Sequence, residues 1–101
     1  MFVMDTAGGS VARGTIWELD LASQVLACIY SSPSALVGNM GDNPAVSSRN
    51  AILICEDAST AATDSFGFGQ RLMGLTGEGD GYIFAKNNVV MTSTQLTAAG
   101  K

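Results

Sequence analysis

The apolar positions of this chain fall into short solid runs rather than a helical period. Ala51-Ile52-Leu53-Ile54 is uninterrupted and stops at Cys55-Glu56-Asp57, the pattern of a buried strand with an acidic end. A stretch rich in Ala, Ser, Thr and Gly follows. Leu72-Met73-Gly74-Leu75 and Tyr82-Ile83-Phe84-Ala85 then flank Thr76-Gly77-Glu78-Gly79-Asp80-Gly81, which reads as a β-hairpin with a glycine-rich turn. The same order occurs near the start. Phe2-Val3-Met4 runs into Asp5, small residues fill positions 6–14, and Thr15-Ile16-Trp17-Glu18-Leu19 and Val25-Leu26-Ala27-Cys28-Ile29-Tyr30 flank a turn at 20–24. Phe2 aligns with Leu53 and Trp17 with Met73, the second loop being the longer. A repeat at roughly 40 to 50 residues, made only of short strands, is the spacing of β-propeller blades. Two unrelated hairpins would give the same pattern, and that alternative stays open.

The expected architecture is therefore all-β: antiparallel, propeller-blade-like sheets, about two blades, with a short C-terminal helix. The blade-like units cover about 1–32 and 51–88, a loop covers 33–50 and a tail 89–101. The loop contains Asn43 before Pro44, where the residue preceding proline is held extended or in a turn, so it is expected to pass over the end of the sheet. In the tail, Thr92-Ser93-Thr94-Gln95 has capping-box spacing, 96–99 continues a helix, and Gly100 stands where a C-cap would.

Composition narrows the function classes. The chain has 101 residues, 47% of them apolar, enough for one modest core. No apolar run is long enough to span a membrane. Five Lys or Arg against nine Asp or Glu leave a net charge of −4 without a basic cluster, which argues against nucleic acid as a partner. Residues 1–5 have neither the basic start nor the apolar stretch of a signal peptide, so the compartment is unreadable. Cys28 and Cys55 each lie inside an apolar run and are expected to be free, buried thiols. There is no histidine, which removes Ser-His-Asp and Cys-His catalysis and imidazole metal sites. Any chemistry falls to carboxylates, amides, hydroxyls or an oxygen-bound metal.

Five segments together carry a family resemblance. Gly14-Thr15-Ile16-Trp17-Glu18-Leu19-Asp20, Met40-Gly41-Asp42-Asn43, Leu53-Ile54-Cys55-Glu56-Asp57, Gln70-Arg71-Leu72-Met73-Gly74-Leu75-Thr76 and Ile83-Phe84-Ala85-Lys86-Asn87-Asn88, in this order, resemble the C-terminal part of the PhoX-type alkaline phosphatases. The resemblance implies a β-propeller, calcium and iron ions in a central site, a phosphomonoester substrate and an exported, periplasmic enzyme. It also implies a chain several times longer, so that this one would be a piece of such a phosphatase and inactive alone. Two positions depart from the family pattern: Gly41 stands where Pro is usual, and Ala58 where Gly is usual.

The resemblance makes Glu56 and Asp42 the expected metal ligands, with carboxylate oxygens suited to calcium. Their other reading is a solvent-facing strand end for Glu56 and an Asx turn before Pro44 for Asp42. Asn43 and Arg71 are the expected substrate-binding residues, Arg71 otherwise being an exposed strand-start arginine. Asp57 is a further candidate that could instead cap the turn after its strand. Asp64, Asp80, Asn87 and Asn88 are weaker candidates. Trp17 and Phe84 are expected in the core. If Glu56 is a channel-facing ligand, Glu56→Ala should leave the metal-free fold nearly unchanged. The competing function is a non-catalytic β domain that forms homo-oligomers by pairing exposed sheet edges along 2–6 or 82–86.

Overall fold

A computed structural model describes residues 1–57, 70–87, 92–98 and 100. Strands β1 (Phe2–Asp5), β2 (Thr15–Asp20) and β3 (Val25–Ser31) form a three-stranded antiparallel sheet in that order. Strands β4 (Gly41–Val46), β5 (Ile52–Glu56), β6 (Arg71–Leu75) and β7 (Gly81–Lys86) form a four-stranded one, again in chain order and antiparallel. Helix α1 (Ser93–Ala98) follows. The chain is thus all-β with one short helix, and β1 lies alongside β4.

Two of the hairpin turns bear on the site readings, and each has a local cause. Between β2 and β3, Asp20 accepts from the Ser23 hydroxyl (2.7 Å) and the Ala22 N–H (2.9 Å). These bonds hold its carboxyl below the usual range. Between β6 and β7, Gly79 takes the positive φ of 93° and its N–H reaches the Thr76 carbonyl, so the left-handed position belongs to glycine and not to Asp80. The capping box before α1 is reciprocal: Thr92 Oγ1 accepts from the Gln95 N–H (3.3 Å) and Gln95 Oε1 from the Thr92 N–H (2.8 Å). Gly100 has φ 76°.

The stretch 33–50 is not one connection, because Gly41–Val46 is strand β4. A proline is tolerated there because β4 is an edge strand, where a missing N–H costs no ladder bond. A register shift between Gly41 and Pro44 places Asp42 and Asn43 in a bulge.

The core lies between the two sheets. Ile16 from the first sheet packs with Ile52, Ile54, Met73 and Leu75 from the second, and Phe2, Met4, Ile29 and Tyr30 close its margin. A void of about 10 Å³ in this core is lined by Met4, Ile16, Tyr30, Ile54 and Met73, room for one water at most.

The repeat is visible in the register. In the first sheet Phe2 opposes Glu18, Val3 opposes Trp17, Met4 opposes Ile16 and Asp5 opposes Thr15. In the second, Leu53 opposes Gly74, Ile54 opposes Met73 and Cys55 opposes Leu72. These are the pairs obtained by aligning Phe2 with Leu53 and Trp17 with Met73. Each middle strand also carries its irregularity toward the next strand at the same place, Ile16/Trp17 in one sheet and Leu72/Met73 in the other.

Three core expectations are corrected. Cys28 and Cys55 are free but exposed, because strand alternation turns them away from the layer holding Ile54 and Ile16. Phe84 is 61% exposed, since it is the extra residue of the β6–β7 irregularity on an edge strand. Trp17 is only half-buried, on the outer face of its sheet.

Candidate functional site

Strand alternation decides what Glu56 does. Ile52, Ile54 and Glu56 of β5 share one face, as do Arg71, Met73 and Leu75 of β6, and all six are buried. Ile52 opposes Leu75 and Ile54 opposes Met73; the next inward pair along the ladder is Glu56 with Arg71. The two side chains are 0% and 3% exposed. Arg71 Nη2 donates to Glu56 Oε1 (2.6 Å) and Arg71 Nε to Oε2 (2.8 Å), the bidentate fork that arginine forms with a carboxylate.

The rest of the carboxylate is also occupied. The Asn39 N–H donates to Oε1 at 2.8 Å and the Arg71 N–H to Oε2 at 3.1 Å. Four donors fill the roughly four lone-pair positions of a carboxylate. The guanidinium goes on to the Leu36 carbonyl through Nη1 (2.9 Å) and to the Ala35 carbonyl through Nη2.

Neighbouring residues extend this into a network that fixes the loop 33–40. Asn39 accepts from Arg13 Nη1 at its Oδ1 (3.2 Å). The Ser32 hydroxyl reaches the Gly38 and Ser34 carbonyls, and the Tyr30 hydroxyl donates to the Val37 carbonyl (3.2 Å). Partial burial pushes the Tyr30 phenol above its ordinary pKa; the Ser32 hydroxyl opposes the shift and the Glu56 carboxylate adds to it. Among the described residues, no buried side-chain nitrogen or oxygen lacks a partner.

Placed on this frame, the expected site residues separate. Glu56 and Arg71 come together, but with each other. Glu56 is not a solvent-facing strand end, and a metal there would have to displace Arg71 or a backbone amide. Arg71 is not an exposed strand-start arginine, and its fork is turned to a carboxylate and two carbonyls. Gly41 opposes Glu56 across β4 and β5, which brings the Asp42 bulge to the same sheet end. Asp42 and Asn43 hydrogen-bond each other at its surface (3.3 Å). The Asp57 N–H donates to the Met40 carbonyl (2.9 Å) while its side chain is exposed. The Asn87 N–H donates to the Gln70 carbonyl. Asp64 and Asn88 lie outside the described residues. Among the described residues, no three of His, Cys, Asp and Glu converge in a way that could hold a metal.

Arg13, Ser32 and Asn39 were not among the expected residues. Their roles depend on a loop folding back, and no local pattern announces that. The Glu56–Arg71 pair did leave a signal, since each residue continues the every-second-position series of a buried strand. At the other end of the β5–β6 ladder, Phe2, Glu18, Ile29, Ile52, Leu75 and Thr76 line a cleft of about 400 Å³, within the size range of small-molecule sites. Comparison with protein-family models, with curated proteins and with solved structures returns no match to this chain.

Proposed function

We propose that this chain is a non-catalytic β module whose two sheets are consecutive blade-type units, and that it acts by packing further β-sheet against its open faces and edges. The repeat of register between β1–β2 and β5–β6 supports this reading most directly. Consecutive copies of one meander stack by the same contact each time, as blades do in a propeller. The open surfaces agree with it: Val3, Leu26, Tyr82, Ile83 and Phe84 are exposed apolar side chains on strands, and an edge of this kind is a template for pairing.

The PhoX-type resemblance enters the proposal as architecture. Of the segments that carry it, residues 40–43, 55–57 and 70–72 meet at one end of the second sheet, around Glu56 and Arg71. The groups gathered there brace a loop. In this reading calcium, iron and a phosphomonoester belong to a larger phosphatase, to which this module would contribute two blades.

Two measurements test the proposal. Hydrolysis of p-nitrophenyl phosphate with calcium and ferric iron is expected to stay at the uncatalysed rate, and metal-dependent turnover would overturn the non-catalytic assignment. Sedimentation velocity over a concentration series should show reversible association, whereas a concentration-independent monomer would remove the packing function.

A further inference from the structure

The repeat says which surface meets which. On the first sheet, Phe2, Met4 and Ile16 form the inner face, against the second sheet. Their register equivalents in the second sheet are Leu53, Cys55 and Leu72, which alternation places on its outer face. Conversely, Val3, Trp17 and Leu19 lie on the outer face of the first sheet, while their equivalents Ile54, Met73 and Leu75 are buried on the inner face of the second. The contact between the sheets therefore joins one type of face to the other type. Among the described residues, one face of each type is left open.

Both open faces are apolar. On the first sheet Val3, Trp17 and Cys28 form a row across three strands, with Leu19 and Leu26 beside it. Val3 is 41% and Leu26 54% exposed. On the second sheet Ala45, Leu53, Gly74 and Tyr82 form one row and Cys55, Leu72 and Ala85 another. The Tyr82 ring lies where a Gly74 side chain would go.

We propose that a second copy of this chain docks head to tail, the outer face of its first sheet (Val3, Trp17, Leu19, Leu26) packing on the outer face of its neighbour's second sheet (Leu53, Cys55, Leu72, Ala85). This rests on the proposed reading of the chain as a self-associating β module and names the partner and the polarity. The contact reuses the one already made inside the chain, with the same register positions on each side. It is heterologous, so every added copy again presents one open face of each type. Assembly runs on until the ring closes.

Exposed Cys28 and Cys55 report the polarity, because they sit on the two opposite open faces. The chain carrying Cys28→Ser and the chain carrying Cys55→Ser are treated with a short bismaleimide, separately and as a mixture, in parallel with sedimentation of each. The expected result is association in all three samples, a covalent dimer in the mixture and none in either variant alone. A dimer in a single variant, or no dimer in an associating mixture, overturns the head-to-tail contact and leaves the self-associating module standing. A monomer in all samples overturns both.

A second pair of variants reads the same geometry without a cross-linker. Val3→Lys spoils one face and Cys55→Lys the other, each at an exposed position, so each chain alone should be monomeric. Their mixture should give a 1:1 dimer that grows no further. Assembly of either variant by itself overturns the proposal.

Discussion

Removing the Glu56 carboxylate should strongly destabilise this protein, although its position in sequence suggests an expendable ligand. In Glu56→Ala the guanidinium of Arg71 keeps the Leu36 and Ala35 carbonyls but loses both contacts to the Glu56 carboxylate. The Asn39 and Arg71 N–H groups lose their buried acceptor as well. Each abandoned donor costs about 1–3 kcal/mol, and breaking a buried pair from one side costs about 3–5 kcal/mol in all. Domains of this size hold only about 5–15 kcal/mol. The expected drop in thermal midpoint is about 12–40 °C, since about 1 kcal/mol moves a domain of this size by roughly 4–8 °C. Arg71→Lys is the milder companion: it keeps the charge, loses the fork and should cost about 1–3 kcal/mol. Chemical unfolding at one fixed low protein concentration, with and without calcium, measures these values free of association effects. The reasoning fails if Glu56→Ala stays within about 1 kcal/mol of the parent, or if calcium raises the parent's midpoint and leaves the variant's unchanged.

Two other perturbations probe the same packing. A Cβ on Gly41 would stand 2.8 Å from Ile54 Cγ2, which is fully buried; Gly41→Ala should cost about 1–3 kcal/mol by overpacking, and a neutral result in denaturant titration would show that β4 yields freely. Tyr30 has a raised folded-state pKa, so its contribution is complete below the unfolded value near 10 and is lost as pH rises through that value toward the folded one. Tyr30→Phe should flatten this alkaline loss in a series of melts, and an unchanged slope would assign the loss to another group.

Much of the fold was legible because short strands broadcast themselves. The runs around Phe2, Trp17, Leu53, Met73 and Ile83 announced strands, and their spacing announced the repeat. The Thr92–Gln95 capping box was readable because its partners are three residues apart. Strand β4 was missed because Pro44 and the Asp-Asn pair are turn chemistry in isolation, and only its edge position with a bulge makes them compatible with a strand. Burial of Cys28 and Cys55 was misjudged for a related reason. A solid apolar run says that both faces of a strand are apolar, and it does not say which face this chain covers. The candidate site was half legible: Glu56 and Arg71 stood out as candidates, but Arg13, Ser32 and Asn39 did not, because the folding back of loop 33–40 joins positions that no local period relates.

The repeat also explains why the acidic strand end behaves differently in the two units. Asp5 and Thr15 hold the ladder position that Glu56 and Arg71 extend in the second sheet. In the first sheet this position is on the outer face, where Asp5 is exposed beside Gly8 and needs no counter-charge. In the second sheet the same position turns inward, beneath the loop 33–40 that joins the two units. A carboxylate there must be fully partnered or not ionised, and the chain supplies Arg71 on the facing strand and amides from the loop and β6. A Glu-Asp strand end thus has its role set by the face to which alternation assigns it. Here the result is a brace on the loop between the two sheets, which ties the fold of the linker to the pairing of β5 with β6.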